Sequence, residues 1–435
     1  SNNTAVGKDA LLAITTGTQN IAVGGLALDA NTTANYNVAI GYEALSTSVT
    51  DSHNTAIGNN AMKDANGAAH NVAVGSASMN NITTGDYNVG VGSQTFDALT
   101  TGANNVAVGY AAAGALTSGA GNTAVGYEAL NDGGTGANNT AVGYQSLDRI
   151  QDGCSSNTAV GYQALHGSSS AATFDDNTAV GYLAGSGVTG GGDNVMIGSN
   201  SGKSITTGST NVSVGKAAMG ESTGNAITGN DSVVVGYQTG YNMQGATANN
   251  TIVGTEAGYY LTTGQNNLFL GHDAGVTGSP GGNFTTQSSI IVLGDENNGA
   301  SHIQTDWTVA SDKRDKTDVG ELDLGLEFIN KLTPVTYKWD KRSKYIDKHD
   351  PTVDLNEVVT DGTHKEDWLD VGFLAQDVAD IEASYDYKII DKTNLTTSCS
   401  NDGKQYGTQY NKFVPMLVKA VQELSQQVED LKAKI

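Results

Sequence analysis

Residues 122–130, Asn122-Thr-Ala-Val-Gly126-Tyr-Glu-Ala-Leu130, decide how the first two thirds of the chain is read. Thr-Ala-Val is a short run of strand formers, closed by a glycine that can take positive φ or allow close backbone approach. The motif recurs. Its glycines fall at Gly7, Gly24, Gly41, Gly58, Gly75, Gly92, Gly109, Gly126 and Gly143, each 17 residues after the last. Beyond Gly143 the spacing loosens through Gly161, Gly181, Gly198, Gly215, Gly236, Gly254 and Gly271, and a degenerate copy ends at Gly294. Insertions of one to four residues read as lengthened turns, and Thr-Thr-Gly closes several units, as at 83–85 and 206–208. A 17-residue unit is too short for a helical repeat and suits one coil of a narrow β-solenoid. At about 4.8 Å per coil, the repeats predict a rod of roughly 75–80 Å. Thr123 and Val125 share one strand face and Ala124 points the other way, with Ala129-Leu130 as the opposing wall. Both strand faces carry apolar or small residues. That predicts strands covered on both sides, as in a bundle of three coils.

Composition excludes several classes. Hydrophobic residues make up 38%, aromatics 6%, and 56 residues are Gly, too lean for large globular cores. The net charge of −23 disfavours duplex nucleic acid and anionic membrane, which need a basic face. No stretch approaches the ~18 apolar residues of a membrane helix, and residues 1–30 show no basic start followed by an apolar core. Cys154 and Cys399 follow no metal or redox spacing and are expected as free thiols. A break falls near residue 300. Residues 1–300 hold five basic side chains (Lys8, Lys63, Arg149, Lys203, Lys216) and 20 acidic ones; the last 135 residues hold the other 17 and 25, and no proline precedes Pro280.

Within the repeats, an Asn opens most units, from Asn3 and Asn20 through Asn122 and Asn139 to Asn250 and Asn267. It could form a polar binding strip, but a stacked ladder holding the coils in register is the favoured reading. Tyr follows the glycine at Tyr42, Tyr110, Tyr127, Tyr144, Tyr162, Tyr182 and Tyr237. An exposed row of Tyr could contact a receptor by stacking on sugar rings, although ladder packing again ranks first. The scattered histidines form no metal spacing, and Gly190 to Gly192 lack the lysine of a phosphate loop. No cofactor or metal is expected.

The Asn-Thr-Ala-Val-Gly units resemble the head repeats of trimeric autotransporter adhesins, whose Ser-Val-Ala-Ile-Gly motifs build a β-roll trimer; related repeats occur in phage tail fibres. Residues 311–435 resemble the intramolecular chaperone domain of phage tail fibres and spikes, a self-cleaving Ser-Lys peptidase family. The matching segments are Ser311-Asp-Lys-Arg314-Asp-Lys316, Gly325-Leu326 with Leu332-x-Pro334-Val335-x-Tyr337-x-Trp339, Val371-Gly-Phe-Leu-Ala-Gln376-Asp-Val378, and Phe413-Val-Pro-Met-Leu-Val-Lys-Ala-Val-Gln-Glu-Leu424. Asp315 stands where family members usually carry an apolar residue. The resemblance implies that Ser311 attacks the carbonyl of Ala310 with Lys316 as its base, giving an ester that water hydrolyses. The residues themselves allow this chemistry, since a serine hydroxyl needs an adjacent base and a desolvated lysine can serve. Without that context, Ser-Asp before a charged run reads as a helix cap.

At the C-terminus, Leu417, Val421, Leu424, Val428, Leu431 and Ile435 alternate spacings of four and three, the pattern of a coiled-coil seam, with Pro415 suited to a first helical turn. A helix lying on its own domain would look similar. The expected layout is a mainly β, trimeric β-solenoid fibre over 1–294, a linker over 295–310, and a small α+β chaperone domain over 311–435 with its helix from about 413. The expected role is a trimeric viral fibre on the virion tail, binding a host-surface glycan or protein. Its chaperone would drive trimerisation and leave by self-cleavage between Ala310 and Ser311. The chain opens inside a repeat, so an N-terminal module that joins virion attachment proteins is expected outside this sequence. The alternative is a bacterial surface adhesin with a permanent trimerisation cap; a soluble enzyme finds no convergent acids, bases or ligands in the repeats.

Overall fold

A computed structural model describes residues 2–167, 172–220, 226–299, 301, 302, 304, 309–348, 350, 353–400 and 402–435. Of the expected linker, residues 300, 303 and 305–308 lie outside the described residues. The chain divides into two compact units. One runs to His272 and adds Thr285–Ile291; the other joins Asp273–Phe284 to Val292–Ile435.

In the first unit each repeat contributes one three-residue strand, from β1 (Thr4–Val6) to β16 (Leu268–Leu270). Every strand pairs in parallel with the next, without a register shift. In β7 (Val106–Val108), β8 (Thr123–Val125) and β9 (Thr140–Val142), Ala107, Ala124 and Ala141 stand one above another. These central alanines are fully buried, and so are Ala129 and Leu130 opposite them. Each coil therefore closes its own core. Volume is traded across that core, as close packing requires. Where the strand centre shrinks to Gly90, the opposite wall carries Phe96; where the centre grows to Met196 or Ile252, the wall falls back to Gly202 or Gly258, and the Phe269 ring also packs on Gly258.

On a single chain the outer strand face, expected to be covered in a bundle of three coils, is open. Val91, Val108, Val180, Ile197, Val253 and Leu270 lie exposed. A single coil is one strand thick there and has nothing to lay over that face.

Two ladders hold the register. The Asn122 N–H donates to Asn105 Oδ1 at 2.8 Å, its Nδ2 donates to Gly136 O at 2.9 Å, and its Oδ1 accepts from Asn139 N at 2.9 Å. All these side chains are buried, so the asparagines are internal struts and not a binding strip. Ser232 replaces one rung: it donates its N–H to Asn211 Oδ1 at 3.0 Å and accepts from Asn250 N at 3.2 Å. The second ladder is glycine. Gly126 has φ +138°, and a Cβ there would stand 2.2 Å from the carbonyl oxygen of Gly143. The turn after it was not legible in the sequence. Glu128 and Leu130 take left-handed φ of 51° and 53°, which costs a non-glycine residue roughly 1–2 kcal/mol. The geometry aims their N–H groups in opposite directions, at Tyr110 O (2.9 Å) in the preceding coil and Ser146 O (3.0 Å) in the next.

The second unit contains β17 (Ile291–Leu293) only in part, followed by α1 (Leu326–Lys331), β18 (Val335–Tyr337), β19 (Asp370–Gly372), α2 (Ala375–Ala383), β20 (Thr397–Cys399), β21 (Tyr406–Thr408) and α3 (Phe413–Lys432). Two antiparallel pairs, β18 with β19 and β20 with β21, flank a core of Leu324, Phe328, Val378, Phe413 and Met416. Gly325 cannot cap α1; the Glu423 carboxylate of α3 does so instead, accepting from Leu326 N at 2.7 Å. Buried Glu382 is held by Thr396 N at 2.6 Å and by the hydroxyls of Thr396 and Thr397. Among the described residues no helix is long and apolar enough to cross a membrane, and both cysteines are free.

Two measurements check this account. Gly126→Ala must move backbone against backbone and should destabilise the solenoid by about 3 kcal/mol or more, read by circular dichroism in denaturant. Gly320→Ala, with no atom within 4 Å of the added carbon, should be neutral. Asp148 is the second site. Burial pushes its carboxyl up to about 6, only partly opposed by the Arg149 backbone N–H. A raised folded-state value means that ionisation opposes folding, a cost absent below about pH 4 and complete above about pH 6. Asp148→Asn should therefore stabilise the protein by about 1–3 kcal/mol at pH 7.5 and lose that advantage at pH 4.

Candidate functional site

The segment ahead of α1 builds one local constellation. Asp312 caps a single 3₁₀ turn over Lys313–Asp315, accepting from Arg314 N at 2.9 Å. The Arg314 guanidinium grips the same carboxylate at 3.1 Å through Nε and 2.6 Å through Nη2. This ion pair holds the Asp312 carboxyl below its ordinary range. The cap is thus Asp312, and Ser311 is left outside the turn. The turn ends at Lys316 in extended backbone, and Lys316 Nζ donates to Ser311 Oγ at 2.6 Å. Five residues of sequence separation become one hydrogen bond because a 3₁₀ turn folds the chain back on itself. Ala310, Ser311 and Lys316 are all exposed.

Sequence reasoning singled out the serine and the lysine, which the structure brings into contact, but missed the clamp between Asp312 and Arg314. The signal was present, as Asp followed two residues later by Arg in a charged run.

The remaining family segments converge on the module that follows. Leu326 opens α1, Val335 and Tyr337 lie on β18, Val371 lies on β19, Gln376 and Val378 lie on α2, and Phe413 to Leu424 start α3. α3 has two apolar faces. Phe413, Met416 and Ala420 are buried toward the module's own core, whereas Leu417, Val421, Leu424, Val428 and Leu431 are exposed. The stripe read as a seam is therefore open on the single chain, and a different stripe packs the helix on its own module.

On the solenoid, Tyr110, Tyr127, Tyr144, Tyr162 and Tyr182 form a column with ring centroids 5.2–5.4 Å apart and planes within 18° of parallel. All five are exposed. Rings stacked this closely leave no room for a sugar between them, so the column offers ring edges and hydroxyls along its side and faces only at its ends. Tyr42 is exposed beside Glu43, whose hydrogen bond raises its hydroxyl's pKa, and Tyr237 has Lys216 Nζ 6.0 Å from its ring centroid. A second column escaped the sequence reading. Tyr36, His53, His70 and Tyr87 stack at 4.8, 4.8 and 5.0 Å. Their 17-residue spacing was the available signal, hidden by reading Tyr and His separately.

Residues 311–387 match the family described as chaperone of endosialidase. The match starts at Ser311, includes Lys316, and runs through α2; α3 lies beyond it. Comparison with curated proteins gives no match. The chain thus joins a β-solenoid of stacked parallel coils to a C-terminal module similar to the chaperone of endosialidase, a combination consistent with a phage tail fibre with a C-terminal chaperone.

Proposed function

We propose that the chain is a trimeric viral tail fibre for host attachment, with fibre over residues 1–294, a linker over 295–310 and a self-removing chaperone over 311–435. The observation that carries this reading is that the chaperone match begins at Ser311, whose hydroxyl accepts from Lys316 Nζ at 2.6 Å. In the proposed reaction Lys316, as the free amine, takes the Ser311 Oγ proton while Oγ bonds to the carbonyl carbon of Ala310. The Ala310–Ser311 C–N bond breaks, the proton passes to the departing amine of Ser311, and an ester remains. Water hydrolyses that ester, leaving a carboxylate on Ala310 and restoring the serine hydroxyl.

A lysine works as a base where it is desolvated, yet Ser311 and Lys316 are exposed. Cover must come from another surface, and further copies of the same chain can supply it. Two exposed apolar features support self-association: the outer strand stripe of the solenoid and the seam Leu417, Val421, Leu424, Val428 and Leu431 on α3. On this reading, scission waits for assembly. A fibre of non-local parallel pairings folds slowly, and a C-terminal clamp that sets the register of three chains shortens the search. The side of the Tyr110 to Tyr182 column is the proposed receptor contact, through hydroxyls and ring edges on a glycan or protein of the host surface. The proposed location is the virion tail.

Denaturing gels of folded protein test the scission. Wild type should yield a cut between Ala310 and Ser311, Ser311→Ala should stay whole, and Lys316→Ala should slow cutting by at least ~10²-fold, the scale of a lost general base. Wild-type chains that stay whole after folding would make residues 311–435 a permanent trimerisation cap instead. Light scattering of Ser311→Ala tests the assembly, with an expected mass three times 44.7 kDa. Adding Val421→Asp and Leu424→Asp should reduce that mass, because two charges enter the seam while Phe413, Met416 and Ala420 keep the module folded.

A further inference from the structure

The second unit is built from both sides of the Ala310–Ser311 bond. Asp273, Asp295 and Glu296 precede it; Lys341, Ser343 and Lys348 follow it. Lys348 Nζ lies 2.8 Å from Asp273 Oδ2, 2.5 Å from Glu296 Oε1 and 3.6 Å from Asp295 Oδ2. Its side chain is 13% exposed and the three carboxylates 3–6%. Burial by itself would lower the lysine's pKa, but the hydrogen bonds it donates to Asp273 and Glu296 outweigh it and hold the value raised. The backbone is close here too. Lys341 Nζ donates to Glu296 O at 2.6 Å, and a Cβ on Gly278 would stand 2.7 Å from Ser343 Cβ. Arg342 ties the Lys348-bearing segment to the C-terminal module, donating to Leu355 O at 2.8 Å and Lys404 O at 2.7 Å.

We infer that this carboxylate socket is an interface that outlasts the peptide bond: once the chain is divided, residues 311–435 stay bound to residues 1–310 with Lys348 seated among Asp273, Asp295 and Glu296. Dividing the backbone between Ala310 and Ser311 removes none of these contacts. A lysine facing three nearly buried carboxylates is also an asymmetric lock. While Lys348 is in place it supplies positive charge to all three acidic groups; when it is withdrawn that charge is lost at nearly buried carboxylates, and removing one member of a buried ion cluster is strongly unfavourable. Scission and departure are then separate events, and the second is governed by the socket.

The inference rests on the division at Ala310–Ser311 proposed above, but its test makes the cut by other means, so the two can fail separately. In the full Ser311→Ala chain, a recognition sequence for a site-specific protease is inserted between residues 310 and 311. The two parts carry fluorescent labels, the chain is cut after folding, and retention is followed on dilution. With the socket unchanged the two parts should stay together into the nanomolar range, and Lys348→Met should weaken their association by about 10²–10³-fold, the scale for removing one member of a buried ion cluster. Combining Lys348→Met with Asp273→Asn and Glu296→Gln should recover at least tenfold of that loss, because the two carboxylates nearest Lys348 lose their charge together with the lysine and only Asp295 keeps its own. Circular dichroism before cutting establishes that each variant is folded. Parts that separate as soon as wild-type sequence is cut would overturn the inference. So would a Lys348→Met pair that holds as tightly as wild type, or a triple variant as weak as Lys348→Met alone.

Discussion

Successive coils touch at the glycine that ends each strand, with no room for a side chain between one glycine and the carbonyl of the next. A Cβ on Gly126 would meet Gly143 O at 2.2 Å, and one on Gly143 would meet Gly161 O at 2.3 Å. That contact sets the spacing at which the strand ladder and the asparagine ladder can form together. Asn122 can donate to Gly136 O and accept from Asn139 N only if its neighbours repeat at this separation. The narrow core follows from the same constraint. With coils this thin, a coil holds one strand-centre side chain and one from the opposite wall. Met196 therefore leaves no room for a side chain at Gly202, and Phe269 crowds any at Gly258.

The cost of so regular a stack is concentrated in the turns. Leu130 and Glu128 sit at positive φ without being glycine, and their N–H groups are satisfied only by carbonyls of adjacent coils. An isolated coil would carry the strain without the bonds. Stability in this unit is thus shared between neighbours, as in other one-dimensional repeat proteins. Its outer strand face and aromatic columns, exposed on one chain, are the surfaces left for other molecules.

The C-terminal unit works by different rules. Its helices α1, α2 and α3 meet in an ordinary apolar core of Leu324, Phe328, Val378, Phe413 and Met416. Charge supplies the special features: the clamp of Asp312 and Arg314 that shapes the turn beside Ser311, the Glu423 cap on α1, and Lys348 among its three carboxylates. The first brings a hydroxyl and an ammonium group into contact in the open. The last closes the unit across the Ala310–Ser311 bond.

The sequence by itself determined whatever repeats or stays local. The 17-residue period, the buried Asn and Gly positions, the Ala-Leu wall and the contact of Ser311 with Lys316 all follow from spacing, because strand alternation and a tight turn are short-range properties. The tertiary structure decided what depends on partners far along the chain. Left-handed backbone at Glu128 and Leu130 has no residue signature, since it is imposed by hydrogen bonds to other coils. The stacking of Tyr36 with His53 and His70 needed the coil geometry before Tyr and His could be seen as one column. The buried and exposed faces of α3 were ambiguous in a heptad pattern, and only packing against Phe328 and its neighbours assigned Phe413 and Met416 to the core. Nor could spacing place Lys348 beside Asp273, 75 positions away, because burying a charge is favourable only where the fold assembles its counter-charges.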